Sequence, residues 1–192
     1  MRTMAADQWA GPLTPGDEGV LARAEAPVLD VGCGPGRHVV ALAERGAVSL
    51  GIDITPAAVA LARRRGASVL ERSVFDRIPA TGRWASALLL DGNVGIGGHP
   101  AALLARVANV LRPGGFVLVE LESPGPRQAV EVVRILLEGR PGPWFPWTRV
   151  GVDDLVSVAE AAGLAAVEVW EDTGRCFARV TRRRPRWLCP VS

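Results

Sequence analysis

Asp30, the glycines Gly32, Gly34 and Gly36, and then Asp53, Asp91 and His99 have the types and spacing to do chemistry in this 192-residue chain. Residues 28–36 read Val-Leu-Asp-Val-Gly-Cys-Gly-Pro-Gly, an apolar strand running into a glycine-rich turn, and a helix-like segment follows. In an open α/β sheet such a turn lets the backbone approach a nucleotide-like ligand closely. A dinucleotide fingerprint needs its third glycine five residues after the first, and Arg37 stands there, which argues against a nicotinamide cofactor. Asp53 closes the next apolar run, Gly51-Ile52-Asp53, where a carboxylate can accept from both hydroxyls of a ribose. The plain alternative is a helix-capping acid before Thr55-Pro56.

Asp91 ends the fourth run and opens the segment Asp91-Gly92-Asn93-Val94-Gly95-Ile96-Gly97-Gly98-His99. Its glycines suit a loop that a ligand approaches closely, or one that moves over a ligand. His99 can take a proton from an acceptor hydroxyl or amine; alternatively it only starts the helix at Pro100. His38 reads as structural or cofactor-side. Cys33 reads as a small side chain beside a ligand rather than a reactive thiol.

The elements that must position these residues alternate between apolar runs and helical periodicity, which predicts parallel βαβ units. Strands are expected at 28–31, 48–52, 68–73, 85–90, 116–121, 166–170 and 176–181, with helices at 38–45, 56–65, 101–111 and 153–162. Thr55 and Pro56 mark a helix start and Gly66 its stop. Glu171-Asp172-Thr173-Gly174 joins the last two strands as a hairpin. A single domain over 1–192 is expected. Residues 1–26 would form an N-terminal arm or partial lid, with a helical patch at 17–24. Residues 123–150 would be an inserted substrate-side segment, and 182–192 a tail.

Composition excludes several classes. The chain is 48% hydrophobic and 22% charged with a formal charge of +2, so it is globular and offers no strong field for a polyanion. No apolar run is long enough to span a bilayer and no signal-peptide pattern appears, so a cytoplasmic protein is expected. Every basic residue is Arg, a bias that suits a GC-rich bacterial genome rather than a function. Cys33, Cys176 and Cys189 lack paired metal-ligand spacing and there are only two His, so no metal is expected.

Four segments together resemble the class I S-adenosylmethionine (SAM)-dependent methyltransferases over about residues 27–182. They are Leu29–Gly36, Gly51–Asp53, Ser73-Val74-Phe75-Asp76-Arg77-Ile78-Pro79, and Leu111-Arg112-Pro113-Gly114-Gly115. The resemblance implies a doubly wound, seven-stranded, mostly parallel sheet with an antiparallel last strand, in the order 3-2-1-4-5-7-6. It implies SAM as cofactor, with S-adenosylhomocysteine (SAH) as product. Asp30, Gly32, Cys33, Gly34 and Gly36 would form the cofactor turn, and Asp53 and Ile54 would face ribose and adenine. Ser73, Val74 and Phe75 would lie beside the adenine, with Ser73 where the family often carries an acid. Asp91, Gly92 and Asn93 would border the methionine part and the transferring methyl.

On this reading Asp91 and His99 are the catalytic candidates, and His99, Arg127, Trp144 and Trp147 the acceptor-binding ones. Residues 128–138 read as an amphipathic helix, and Trp144, Phe145 and Trp147 as an aromatic pocket. The expected reaction is in-line methyl transfer to a small-molecule acceptor, with no nucleic-acid or membrane partner, by a monomer or homodimer. The alternatives are a SAM-binding protein without transferase activity and an RNA or protein methyltransferase. The latter needs an Asn-Pro-Pro-Tyr-like motif, which 91–94 is not. The basic run 182–186 reads as a solvated tail.

Overall fold

In the computed structural model, residues 1–5, 7–125, 130–137 and 139–183 are described. Arg127, Gln128, Cys189 and most of the predicted tail lie outside the described residues. The strands, in chain order, are β1 (Arg2–Ala5), β2 (Val28–Val31), β3 (Ser49–Asp53), β4 (Val69–Glu71), β5 (Trp84–Leu89) and β6 (Leu111–Leu121), followed by β7 (Glu131–Leu137), β8 (Arg140–Pro141), β9 (Phe145–Trp147), β10 (Leu164–Asp172) and β11 (Arg175–Arg182). The helices are α1 (Asp17–Ala22), α2 (Arg37–Glu44), α3 (Pro56–Arg64), α4 (Pro100–Ala108) and α5 (Leu155–Ala161).

Seven strands form the main sheet in the order β10-β11-β6-β5-β2-β3-β4. Only β11 runs against its neighbours β6 and β10, as the sequence order 3-2-1-4-5-7-6 requires. The central strands are wholly buried: every residue of β2 and β5 is inside. That suits a parallel strand covered on both faces. Alternation sends Leu29, Val31, Ala87 and Leu89 to the face covered by Leu103, Leu104 and Val107 of α4 and Leu155 and Ala159 of α5. Val28, Leu88 and Leu90 face the other way, against Val20 and Leu21 of α1 and Ala41 and Leu42 of α2. The β10–β11 hairpin turns at Thr173 (φ 52°) and Gly174 (φ 77°), the backbone of the two-residue turn that twisted strands prefer.

Three expectations change. Helix α4 stops at Ala108 rather than Leu111, because Leu111 already pairs with Trp84 and the Arg112–Gly115 turn falls inside β6 as a register shift. Within the segment expected to be an amphipathic helix over 128–138, Glu131–Leu137 form strand β7. It is the middle of a second, four-stranded sheet. β1 pairs with β7 in parallel, Arg2 opposite Val133, and β8 and β9 pair with its other edge antiparallel. Residues 2–5, expected only as part of an arm, are therefore a strand of that sheet. Among the described residues no helix is long and apolar enough to cross a membrane.

Candidate functional site

A cavity of about 240 Å³ lies at the carboxyl ends of β2, β3 and β5. Open α/β sheets bind their ligands at this end. Its floor is the glycine turn (Gly32, Cys33, Gly34), Asp53 and Ile54 after β3, Ser73, Val74 and Phe75 after β4, and Asp91 and Asn93 after β5. Its roof comes from the second sheet and the arm: Ile135 of β7, Phe145 and Trp147 of β9, and Trp9. Of the predicted residues, the structure brings Gly32, Cys33, Gly34, Asp53, Ile54, Ser73, Val74, Phe75, Asp91, Asn93 and Trp147 to this one cavity.

The turn is held from three sides. Gly32 and Cys33 donate their amides to the Ile52 carbonyl, at 2.9 and 3.1 Å. Asn93 Nδ2 donates to the carbonyls of Val31 and Gly32, both at 3.0 Å. A Cβ on Gly32, whose φ is 72°, would stand 2.8 Å from that amide and 2.9 Å from Ile96, so only glycine fits there. Among the described residues, nothing beyond its chain neighbours lies within 4 Å of where a Gly34 Cβ would be, so the backbone there is open to a ligand.

Asp53 joins turn and strand. Its Oδ2 accepts the Gly34 amide at 2.8 Å and its Oδ1 accepts the Thr55 amide at 2.7 Å. The capping and ligand-facing readings of Asp53 thus coexist in one side chain. Burial holds its pKa above the ordinary carboxylate value, against the pull of these amides. Burial, with Asp30 and Asp53 nearby, pushes the Cys33 thiol well up, so it stays protonated and inert.

The loop 92–98 owes its glycines to its own chain. Gly97 donates its amide to the Pro146 carbonyl at 2.8 Å, and Thr148 donates to the Gly95 carbonyl at 3.1 Å. Trp147 Nε1 donates to the Gly92 carbonyl at 2.8 Å. The loop is an edge docked on β9, which it approaches so closely that a Cβ on Gly95 would stand 1.6 Å from the Thr148 oxygen. Asn93, Ile96 and Gly97 of this loop still line the cavity, so a docked loop borders the ligand space.

Other expected residues lie elsewhere. His99 is exposed and outside the cavity lining; its carbonyl accepts the Leu103 amide at the start of α4. The structure thus places it beside the helix start rather than on the cavity wall. Trp144 is 40% exposed, with the Arg134 guanidinium 4.6 Å over its ring, and does not line the cavity. Asp30 and Gly36 sit beneath the turn, Asp30 buried beside His38 and Gly36 against Ala62 and Ala67. Gly92 packs against Trp147.

Sequence reasoning missed a buried charge cluster under the site. Asp17 of α1 is wholly buried, accepting from Arg37 Nε at 3.2 Å and Arg175 Nη1 at 2.8 Å. Arg37 Nη2 donates to Asp91 Oδ1 at 2.8 Å, on the cavity wall. His38 lies between two carboxylates, Nε2 3.4 Å from Asp17 and Nδ1 3.7 Å from Asp30. Burial alone would lower its pKa, but the flanking carboxylates prevail and push it up to about 9. The basic partners hold Asp17 far below the usual carboxylate range despite its burial. The only signal in the sequence was Arg37 itself, which had served as the residue that breaks a dinucleotide pattern.

A mostly parallel sheet with a cavity at its strand ends, floored by a glycine turn and an acid, is the arrangement in which open α/β folds bind their ligands. Residues 28–115 match the family model described as a methyltransferase domain. A trans-aconitate 2-methyltransferase of Methylobacterium nodulans is 36% identical over 112 residues, 54% of this chain and 43% of that protein. The chain thus covers less than half of that relative. A SAM-dependent methyltransferase of Bacteroides fragilis, solved with SAH, superposes with a TM-score of 0.74 at 24% identity over 93% of this chain and 82% of that one. A 1,6-didemethyltoxoflavin N1-methyltransferase of Burkholderia thailandensis, solved with its substrate and SAH, gives a TM-score of 0.59 at 23% identity over 86% and 78%. Residues 28–115 are thus similar to a methyltransferase domain, and the chain shares the fold of these solved methyltransferases.

Proposed function

We propose that this chain binds SAM in the cavity and transfers its methyl group to a small-molecule acceptor. The observation that carries this reading is Asp53, a carboxylate facing the cavity beside the open backbone of Gly34. Asp53 would hold the ribose hydroxyls, and Ile54, Val74 and Phe75 the flat base. The turn at Gly32–Gly34, with Asp91 and Asn93 opposite, would hold the amino-acid part; Arg37, fixed between Asp17 and Asp91, brings the positive charge that suits its carboxylate. SAM bound there supplies an electrophilic sulfonium methyl, which an acceptor lone pair attacks in line with the C–S bond.

The rest is alignment and exclusion of water. Trp9, Ile135, Phe145 and Trp147 cover the floor with apolar surface, which favours a transfer that disperses charge. A small acceptor fits beneath this roof, and the relatives named for trans-aconitate and 1,6-didemethyltoxoflavin act on small molecules. The arm that carries Trp9 acts as a partial lid. Asp91 is the predicted catalytic residue on the cavity wall and orients the reacting end. A cytoplasmic monomer or homodimer without a nucleic-acid partner belongs to the same proposal. Titration calorimetry with SAM and SAH tests it: binding of both at micromolar affinity is expected, and binding of neither overturns it.

A further inference from the structure

We propose that Arg175 is a positioning residue for this site. From the β10–β11 hairpin it fixes the Asp91 backbone through Glu120 and the Arg37 guanidinium through Asp17. The inference rests on the reading of the cavity as a SAM site, but its geometry stands apart from any ligand.

All three guanidinium nitrogens of Arg175 are used. Nε and Nη2 form a fork on Glu120, to Oε1 at 2.9 Å and Oε2 at 2.8 Å. Nη1 reaches the arm, donating to Asp17 Oδ1 at 2.8 Å, Thr14 Oγ1 at 2.9 Å and the Pro15 carbonyl at 3.0 Å. Glu120 Oε2 then accepts the Asp91 amide at 2.6 Å. Asp91 needs holding, since its φ of 55° is a left-handed conformation that a non-glycine residue adopts at a cost. Arg37 closes the circuit between Asp17 and Asp91.

The result is a ring in the order Arg175, Asp17, Arg37, Asp91, Glu120. Its members come from α1, α2, the end of β5, β6 and β11. Asp17 has no exposed side-chain surface and Arg37 only 6%, so these are charge-assisted bonds in a poorly solvated place rather than surface ion pairs. Arg175 itself does not line the cavity, whereas Asp91 and Arg37 do. Its influence on a ligand passes through them.

The test compares Arg175→Ala, Arg175→Lys and Arg179→Ala. Arg179 lies on the same strand with its guanidinium 3.6 Å over the Phe116 ring, outside the ring of charges. The first readout is hydrogen exchange of the Asp91 amide by NMR with no ligand present; the second is SAM affinity by calorimetry. Arg175→Ala is expected to speed exchange at Asp91 and to weaken SAM binding, each by about tenfold or more. Arg175→Lys should recover part of both, because a single ammonium can pair with Asp17 but cannot fork on Glu120. Arg179→Ala should match wild type in both. If Arg175→Ala does not fold, the Lys variant carries the test at matched global stability. Exchange at Asp91 unchanged in the folded variants overturns the proposal. If exchange responds but wild type binds no SAM, the positioning role stands and the cofactor reading fails.

Discussion

Asp53 Oδ2 accepts the Gly34 amide at 2.8 Å, so the acid ending β3 and the turn ending β2 are one rigid unit at the cavity floor. Neighbouring parallel strands, Leu29 opposite Leu50 and Val31 opposite Ile52, bring them together. A ligand that uses the carboxylate also meets the backbone the carboxylate holds.

Asp53→Ala should therefore weaken SAM and SAH binding by about tenfold or more, since each hydrogen bond to a charged group contributes about 1.5–3 kcal/mol. Asp53→Asn should fall between, keeping one acceptor oxygen and losing the charge. Calorimetry on the three proteins decides; equal affinities would remove Asp53 from ligand binding.

His38 makes stability depend on pH. Its folded pKa is about 9 against an ordinary 6.5. A raised folded pKa contributes stability that is complete below 6.5 and lost as pH rises through about 9. The thermal midpoint should fall over that window, with a loss on the order of 3 kcal/mol. His38→Gln should be less stable at pH 6 and flatter with pH; an equal slope in both proteins would assign the dependence to other groups.

Gly95→Ala should cost at least about 3 kcal/mol, because the added Cβ would meet the Thr148 oxygen at 1.6 Å and the loop must leave β9. Gly125, whose nearest neighbour would be 3.9 Å from a Cβ, gives the control: Gly125→Ala should stay within about 0.5 kcal/mol of wild type. Urea unfolding of both reads the difference.

Trp9 and Trp147 line the cavity, while Trp84 is buried against the Pro79 carbonyl and Trp170 stacks on Phe177. Adding SAH should change the intrinsic fluorescence, and Trp9→Phe combined with Trp147→Phe should remove most of that change. A full signal in the double variant would place the ligand away from the roof.

The main sheet was legible because each of its elements carries its own signal: doubly buried strands read as continuous apolar runs, and Pro56 and Gly66 bracket a helix. The cavity floor was legible for the same reason, as its residues follow directly on strand ends. The roof was not. In β7, Val133, Ile135 and Leu137 share the inward face at a period of two, yet Val133, Leu136 and Leu137 also fit a helix, and seven residues do not separate the two. What decides is the pairing with β1 and β9, which lie far away in sequence. The charge ring was hidden likewise, since no local pattern links Asp17 to Arg175 or His99 to its exposed place.

The parallel pairing of β1 with β7 has a consequence for how the protein is made. Arg2 pairs with Val133, about 130 residues later in the chain. At roughly 5–20 residues per second, the first strand is synthesised roughly 7 to 26 s before its partner. During that interval the glycine turn and Asp53 already exist, while the surface that covers them does not. A growing chain therefore has a floor before it has a roof, and acquires the covered cavity only after residue 147 has emerged.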